Sequence, residues 1–494
     1  MNDKRFDMES DELRRYGAEV MDRIIAFLDH PERHRVVSDM KPGDLKKQLP
    51  ATPPATPEKM DDILQDVETL IIPGLTHWNH PGFMAYFAIS SSKPAILAEL
   101  LSAGFNVNGM LWKTSPAATE LEEVVLDWLR QAMGLPRGFV GAIHDTASTS
   151  SLIAVVAARE FLKREIREKG LAGRSDLPTL TLYASEHAHS SIERAAIIAG
   201  IGQMNVRKIS ADSDFRMDPN ELERTIQSDI ESGFQPCCVV ATVGTTSITS
   251  IDPVGEIAEV CKRFGVWLHV DAAYGGIAAI VPEMRWVLQG CDAADSIVVN
   301  PHKWLFVPID CSVLYCRQID VLKQAFSLVP EYLRTQEQEV TNFMDYGIAL
   351  GRRFRALKLW MVFRYFGLSG IVERLRHHLA LAQTFRSWIE KEKEFELMAP
   401  VPLSVVCFRY NPRPSVEKEL NGDTLNLLNM ALLERTNESG EVYLSHTKLG
   451  EKVVLRLAIG NLQTTEAHIQ RAWELLRENG RALLSSIKTN ALKV

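Results

Sequence analysis

A lysine stands at position 303 in the run SIVVNPHKWLFV (296–307), with apolar residues on both sides that read as buried. Burial lowers the pKa of an unpaired amine and makes it a usable nucleophile toward an aldehyde. A carboxylate, Asp271, lies in VWLHVDAAYGG (266–276), and if its neighbours are packed it needs a cationic partner. A third feature is HDTASTSS (144–151), where Thr146, Ala147 and Ser148 lead into the helical pattern SLIAVVAAREFLKRE. The backbone N–H groups at such a helix start face an anion. Singly, these are a snorkelling lysine, a capping aspartate and a Ser/Thr helix cap. Together they meet the needs of pyridoxal phosphate: an amine to bond the aldehyde, a carboxylate to keep the pyridine nitrogen protonated, and a seat for the phosphate.

The elements that must position these groups are short β-branched runs alternating with helical ones between about 120 and 320: GFVGAI, TLTLYAS, CCVVATV, VWLHVDAA, SIVVN and CSVLYCR. That alternation predicts a mainly parallel sheet with helices on both faces, whose ligands bind at the carboxyl ends of the strands. Within it, Asp252-Pro253 is expected to start a helix through EIAEVCKRF, and Gly265 to end it. Toward the N-terminus, Leu13, Tyr16, Val20, Ile24 and Phe27/Leu28 form one apolar helical stripe. A Pro-rich link (49–60) follows, with Thr56-Pro57 expected to open the next helix. After a helical, arginine-containing segment (351–367), residues 401–494 read as a smaller α+β lobe closed by a helix. The expected division is a helical dimerisation segment (1–92), a large cofactor-binding α/β domain (93–367) and a small α+β domain (368–494).

Composition narrows the field. A chain of 494 residues that is 46% apolar can fill two or three lobes, and its charge of −8 is dispersed without the basic stripe that nucleic acid requires. The longest uncharged stretch, Thr69 to Ser92, is interrupted by Pro73, His77, Asn79, His80 and Pro81, and MNDKRFDMES has no apolar signal core. The expectation is a cytoplasmic protein with no membrane partner. The cysteines all lie at or after Cys237 and form no CxxC pair, so they read as buried apolar residues rather than metal ligands.

The motifs NPHKWL, HVDAAYGG, AHSSIERAA, THWNHP, SPAATELE and LGRRFRALK resemble those of group II pyridoxal-phosphate-dependent amino acid decarboxylases, and specifically the aromatic-L-amino-acid decarboxylases. The likeness runs from about Leu13 to the last helix. It implies the aspartate aminotransferase-like fold (fold type I), a homodimer, and pyridoxal 5'-phosphate attached to Lys303, with Asp271 on its ring nitrogen. It further implies that His189 stacks on the ring and that Thr246 and Ala273 line it. Ala147, Ser148, Asn300 and His302 would hold the phosphate. Without the resemblance, His187 and His189 could form a metal pair at strand spacing, but no further ligand cluster is nearby in sequence, and no metal is expected.

The same resemblance makes AFSLVPEYLRTQEQEVTNFMDYG (325–347) a lid carrying Tyr332, the position at which tyrosine marks decarboxylases and phenylalanine marks aldehyde-forming relatives. Trp78, Tyr86 and Phe87 would form an aromatic substrate wall, joined by Asn108 and Met110 from the partner subunit. This chain departs from the animal enzymes there: Ala88-Ile89 replaces Pro-Thr, and Asn108 and Met110 replace an aliphatic and an aromatic residue. Arg355 is read either as reaching the phosphate or as forming only a salt bridge. The activity implied is decarboxylation of an aromatic L-amino acid to an arylalkylamine and carbon dioxide. The rivals are an aldehyde synthase, a decarboxylase of another amino acid such as glutamate, an aminotransferase, and a catalytically silent scaffold relative.

Overall fold

The structure, a computed structural model, describes residues 7–328, 340–412 and 421–491. The chain forms two compact units, one of Met1–Ala85, Lys418–Leu455 and Gln463–Val494, the other of Tyr86–Glu417 and Arg456–Leu462.

In the first unit, helix α1 (Ser10–Asp29) opens with a capping box between Glu9 and Glu12. Its predicted stripe is incompletely covered: Leu28 is buried, whereas Leu13 and Val20 are exposed. Helix α2 (Met60–Asp66) begins four residues after Thr56, so the Thr56-Pro57 start is corrected. Contacts with α1 fix its first turn instead, because Tyr16 Oη donates to Asp61 at 3.0 Å.

In the second unit, α3 (Lys93–Phe105) and α4 (Pro116–Met133) precede the sheet. Its strands are β1 (Val140–His144), β2 (Leu180–Ser185), β3 (Val206–Ile209), β4 (Gln235–Thr242), β5 (Trp267–Asp271), β6 (Ser296–Val299) and β7 (Ser312–Cys316). Their order is β1-β7-β6-β5-β4-β2-β3, parallel except for β7, which runs antiparallel to both neighbours. Only β3 has no counterpart in the sequence pattern; VRKI is a half-exposed edge strand without an apolar run.

Helix α5 (Ala147–Phe161) crosses the sheet, packing Ile153, Ala154, Ala157 and Ala158 in one core with Leu182, Val240, Val298 and Leu314. Alanines on that face let the helix approach closely, which sets its N-terminus at the sheet's edge. Helix α6 (Ser191–Ile198) follows β2, and α7 (Val254–Phe264) spans the expected segment, closed by Gly265 at φ 65°. The short α8 (Pro301–Trp304) follows β6. Helix α9 (Ala356–Lys391) kinks at Gly367, whose φ of 63° and ψ of 169° are not helical.

The C-terminal part contributes a smaller four-stranded sheet of β8 (Phe395–Leu397), β9 (Val405–Tyr410), β10 (Ser445–Leu449) and β11 (Lys452–Ala458), with β8 antiparallel to β9. Helix α10 (Glu466–Ala491) follows it in the chain. The mainly parallel central sheet and the smaller C-terminal sheet are those the sequence pattern predicts.

Candidate active site

The carboxyl ends of five strands converge on a cavity of about 170 Å³. From β1 come Ala147 and Ser148 at the start of α5, where the Thr146 hydroxyl accepts from Thr149 N–H at 3.4 Å. The loop after β2 brings His189, and the loop after β4 brings Gly244 and Thr246. Asp271 ends β5 and is followed by Ala273, while Asn300, His302 and Lys303 follow β6. Gly244 is required where it stands: its φ is +89°, and a Cβ would lie 3.1 Å from the backbone nitrogen of Gly275, where the loops after β4 and β5 cross.

Lys303 is shielded on one side by an aromatic stack. Its Nζ lies 5.1 Å from the Phe87 ring centroid; Phe87 stacks on Tyr274 at 3.9 Å, and Tyr274 on Trp304 at 4.8 Å. Burial lowers the Lys303 pKa and Arg456 adds to the effect, while Asp271 opposes it. Desolvation also lowers the His189 pKa, again against Asp271. Nδ1 of His189 accepts from Ser191 N–H at 3.2 Å, which leaves the ring proton on Nε2. Asp271 is buried, and its Oδ1 accepts from Ala273 N–H at 3.1 Å.

The donor set fits pyridoxal phosphate. Burial holds His302 neutral, with its pKa lowered to about 4, and its Nδ1 accepts from Cys311 N–H at 2.9 Å. The remaining proton is therefore on Nε2, 3.3 Å from the Asn300 amide. A donor there needs an oxygen opposite it, so the amide presents Oδ1 to His302 and turns its NH₂ toward the cavity. Whichever way the amide is turned, one of its polar atoms is buried without a partner among the described residues, and so is Thr242 Oγ1. Buried groups of this kind are normally satisfied, and a ligand filling the cavity, with its anionic oxygens at the start of α5, would supply partners.

The other predicted residues fall elsewhere. Trp78 belongs to the first compact unit, where its ring lies 4.4 Å from Phe83. Tyr86 is half-exposed at φ 50°, and Asn108 and Met110 occupy a loop that does not line this cavity. Tyr332 lies outside the described residues. Arg355 donates twice to Asp310, at 3.0 Å each, and does not line the cavity, so of its two readings the salt bridge is the one observed.

Sequence reasoning missed Arg456. Its Nε donates to Ser247 O at 2.8 Å and its Nη1 to Tyr86 O at 2.6 Å, with the guanidinium carbon 4.9 Å from the Phe87 centroid. One buried cation thereby ties the segment of Thr246 to the segment of Phe87. The signal was present in KVVLRLAIGN, an arginine inside an apolar strand, which is the anomaly that marked Lys303. Also unforeseen was the support of Trp304, whose indole N–H donates to His378 Nδ1 at 3.0 Å while His378 Nε2–H donates to Asn461 O at 2.9 Å.

Residues 42–411 match the pyridoxal-dependent decarboxylase conserved domain. The chain is 40% identical to a tyrosine decarboxylase of Papaver somniferum, over 97% of this chain and 96% of that protein. It is 39% identical to a phenylacetaldehyde synthase of a Rosa hybrid cultivar, over 97% of this chain and 96% of that protein. Oryza sativa TDC, solved with PLP and tryptamine, superimposes with a TM-score of 0.93 at 36% identity, over 97% of this chain and 100% of that one.

Proposed function

The chain belongs to the pyridoxal-dependent decarboxylases, and from that premise we propose that it removes the carboxylate of an aromatic L-amino acid as carbon dioxide and releases the arylalkylamine. The observation that carries this reading is the convergence of Lys303, Asp271 and His189 on one cavity that the start of α5 also lines. Bound pyridoxal phosphate supplies a protonated ring that withdraws electrons from the substrate's α-carbon as carbon dioxide leaves. Lys303 holds the cofactor by its aldehyde, and its lowered pKa keeps the amine reactive. Asp271 holds the proton on the ring nitrogen, and His189 covers the ring face. The N–H groups of Ala147 and Ser148, with the Asn300 amide that His302 orients, would bind the phosphate, while Thr246 and Ala273 would line the ring's edge.

Aromatic substrates are favoured by Phe87 at the cavity wall and by the relatives acting on tyrosine. We assign Tyr86 to the same wall, with Asn108 and Met110 reaching it from the partner subunit. Overall identity does not separate amine from aldehyde formation, since both kinds of relative match at 39–40%. Tyr332 favours the amine, by delivering a proton to the α-carbon. Incubating the holoenzyme with a panel of aromatic amino acids while measuring carbon dioxide, amine, aldehyde and ammonia tests this. Amine and carbon dioxide in equal amounts are expected; aldehyde with ammonia and oxygen uptake would replace the reading by the synthase.

We further propose a cytoplasmic homodimer. The buried thiols of all seven cysteines suit a reducing compartment. Along α3, Leu97, Leu100, Leu101 and Phe105 recur at helical spacing and are 45%, 61%, 44% and 62% exposed, an apolar face that a second copy would cover. Leu100→Asp with Phe105→Asp should shift the sedimenting species from dimer to monomer and abolish turnover. A wild-type monomer with bound cofactor and full activity would exclude the dimer.

A further inference from the structure

Outside the cavity, and unused by the chemistry above, Glu122 of α4 and Arg352 form an ion pair in which both side chains are only 5% exposed. Arg352 Nη2 donates to Glu122 Oε1 at 2.5 Å and to Ile143 O at 2.8 Å, and Nη1 donates to Gly109 O at 3.2 Å. The same Glu122 oxygen accepts from Ile143 N–H at 2.8 Å. The backbone of residue 352 adds two further bonds to the loop: its N–H donates to Asn108 Oδ1 at 2.9 Å, and its carbonyl accepts from Gly109 N–H at 2.9 Å. Across the loop, Met344 N–H donates to Met110 O at 3.1 Å, and the guanidinium lies 4.6 Å from the Phe343 ring.

One guanidinium therefore joins α4, the loop at 108–110 and the end of β1, the strand that leads directly into the phosphate seat. Stability alone is a weak reason for such a pair, since apolar residues of similar volume often serve a core as well or better. What apolar residues cannot do is fix three backbone segments in register through directional bonds. We propose that Glu122 and Arg352 are positioning residues that set selectivity among aromatic side chains, by fixing the loop from which Asn108 and Met110 reach the substrate wall of the partner subunit. The proposal rests on the assignment of Asn108 and Met110 to the substrate wall. A displaced wall changes how well each side chain fits in the transition state, whereas a loss of stability affects all substrates alike.

The test uses three holoenzyme variants. Arg352→Lys keeps the charge but loses the fork that reaches Gly109 and Ile143 together. Glu122→Gln keeps an acceptor for Ile143 N–H without the charge. Met110→Phe alters the wall directly. For each, kcat/KM is measured with tryptophan, tyrosine and phenylalanine, alongside the visible absorption of bound cofactor. In both Arg352→Lys and Glu122→Gln the tryptophan-to-phenylalanine ratio should move in one direction, by about five- to fiftyfold, with cofactor absorption unchanged. If Met110→Phe moves the ratio and the other two lower all three constants in parallel, the positioning role is overturned. If no variant moves it, that role falls together with the assignment of 108–110 to the wall.

Discussion

Lys303→Ala is expected to abolish the visible absorption of bound cofactor and to lower decarboxylation by about 10³-fold or more, with thermal stability of the cofactor-free protein close to wild type. The loss is large because no other described amine can replace this one. Lys303 is the lysine lining the cavity, and the aromatic stack of Phe87, Tyr274 and Trp304 excludes water from one side of it. Stability should survive because a desolvated amine costs the fold rather than supporting it: burial is the largest influence on its pKa, and the Arg456 cation acts in the same direction. Absorption titrated with pyridoxal phosphate, single-turnover decarboxylation and a thermal melt together separate the two effects. Retained absorption with retained turnover would remove Lys303 from the role of anchor. A collapsed melting temperature would instead make it a structural residue.

The site was legible where a residue was chemically out of place in its run. Lys303 and Asp271 stood out because a charge interrupts an apolar strand or follows one directly, and strand alternation confined both to one edge of a parallel sheet. Arg456 obeys the same logic and was overlooked, since its partners, Ser247 O and Tyr86 O, are backbone carbonyls far away in sequence. The Glu122–Arg352 pair was illegible for a related reason: Glu122 sits in the amphipathic helix α4 among exposed acidic residues, and only packing shows which carboxylate faces inward. The Thr56-Pro57 helix start failed because a good local cap was outweighed by tertiary contacts of Asp61. Trp78 and Phe87 lie close in sequence and were read as one aromatic wall, yet they fall in different compact units, a division that local pattern does not encode.

Asp271→Asn is expected to lower turnover by about 10²- to 10³-fold while leaving the fold intact, because asparagine keeps the shape and the Ala273 N–H bond but not the charge. The carboxylate has two separable effects. It holds the proton on the cofactor's ring nitrogen, and it opposes the burial that lowers the pKa of both Lys303 and His189. Removing the negative charge leaves that burial unopposed, so the Lys303 and His189 pKa values should both fall further. The pH at which the cofactor-free variant begins to react with pyridoxal phosphate should accordingly lie below that of wild type, and the acid limb of its pH–rate profile should move the same way. A merely structural aspartate would lower stability and occupancy without moving either titration. Asp271→Glu discriminates further, since it restores the charge in a displaced position and should recover the titration more fully than the rate. An Asp271→Asn enzyme with wild-type titration and wild-type turnover would show that the ring nitrogen's proton is held by another group, and the proposed division of roles between Asp271 and Lys303 would not stand.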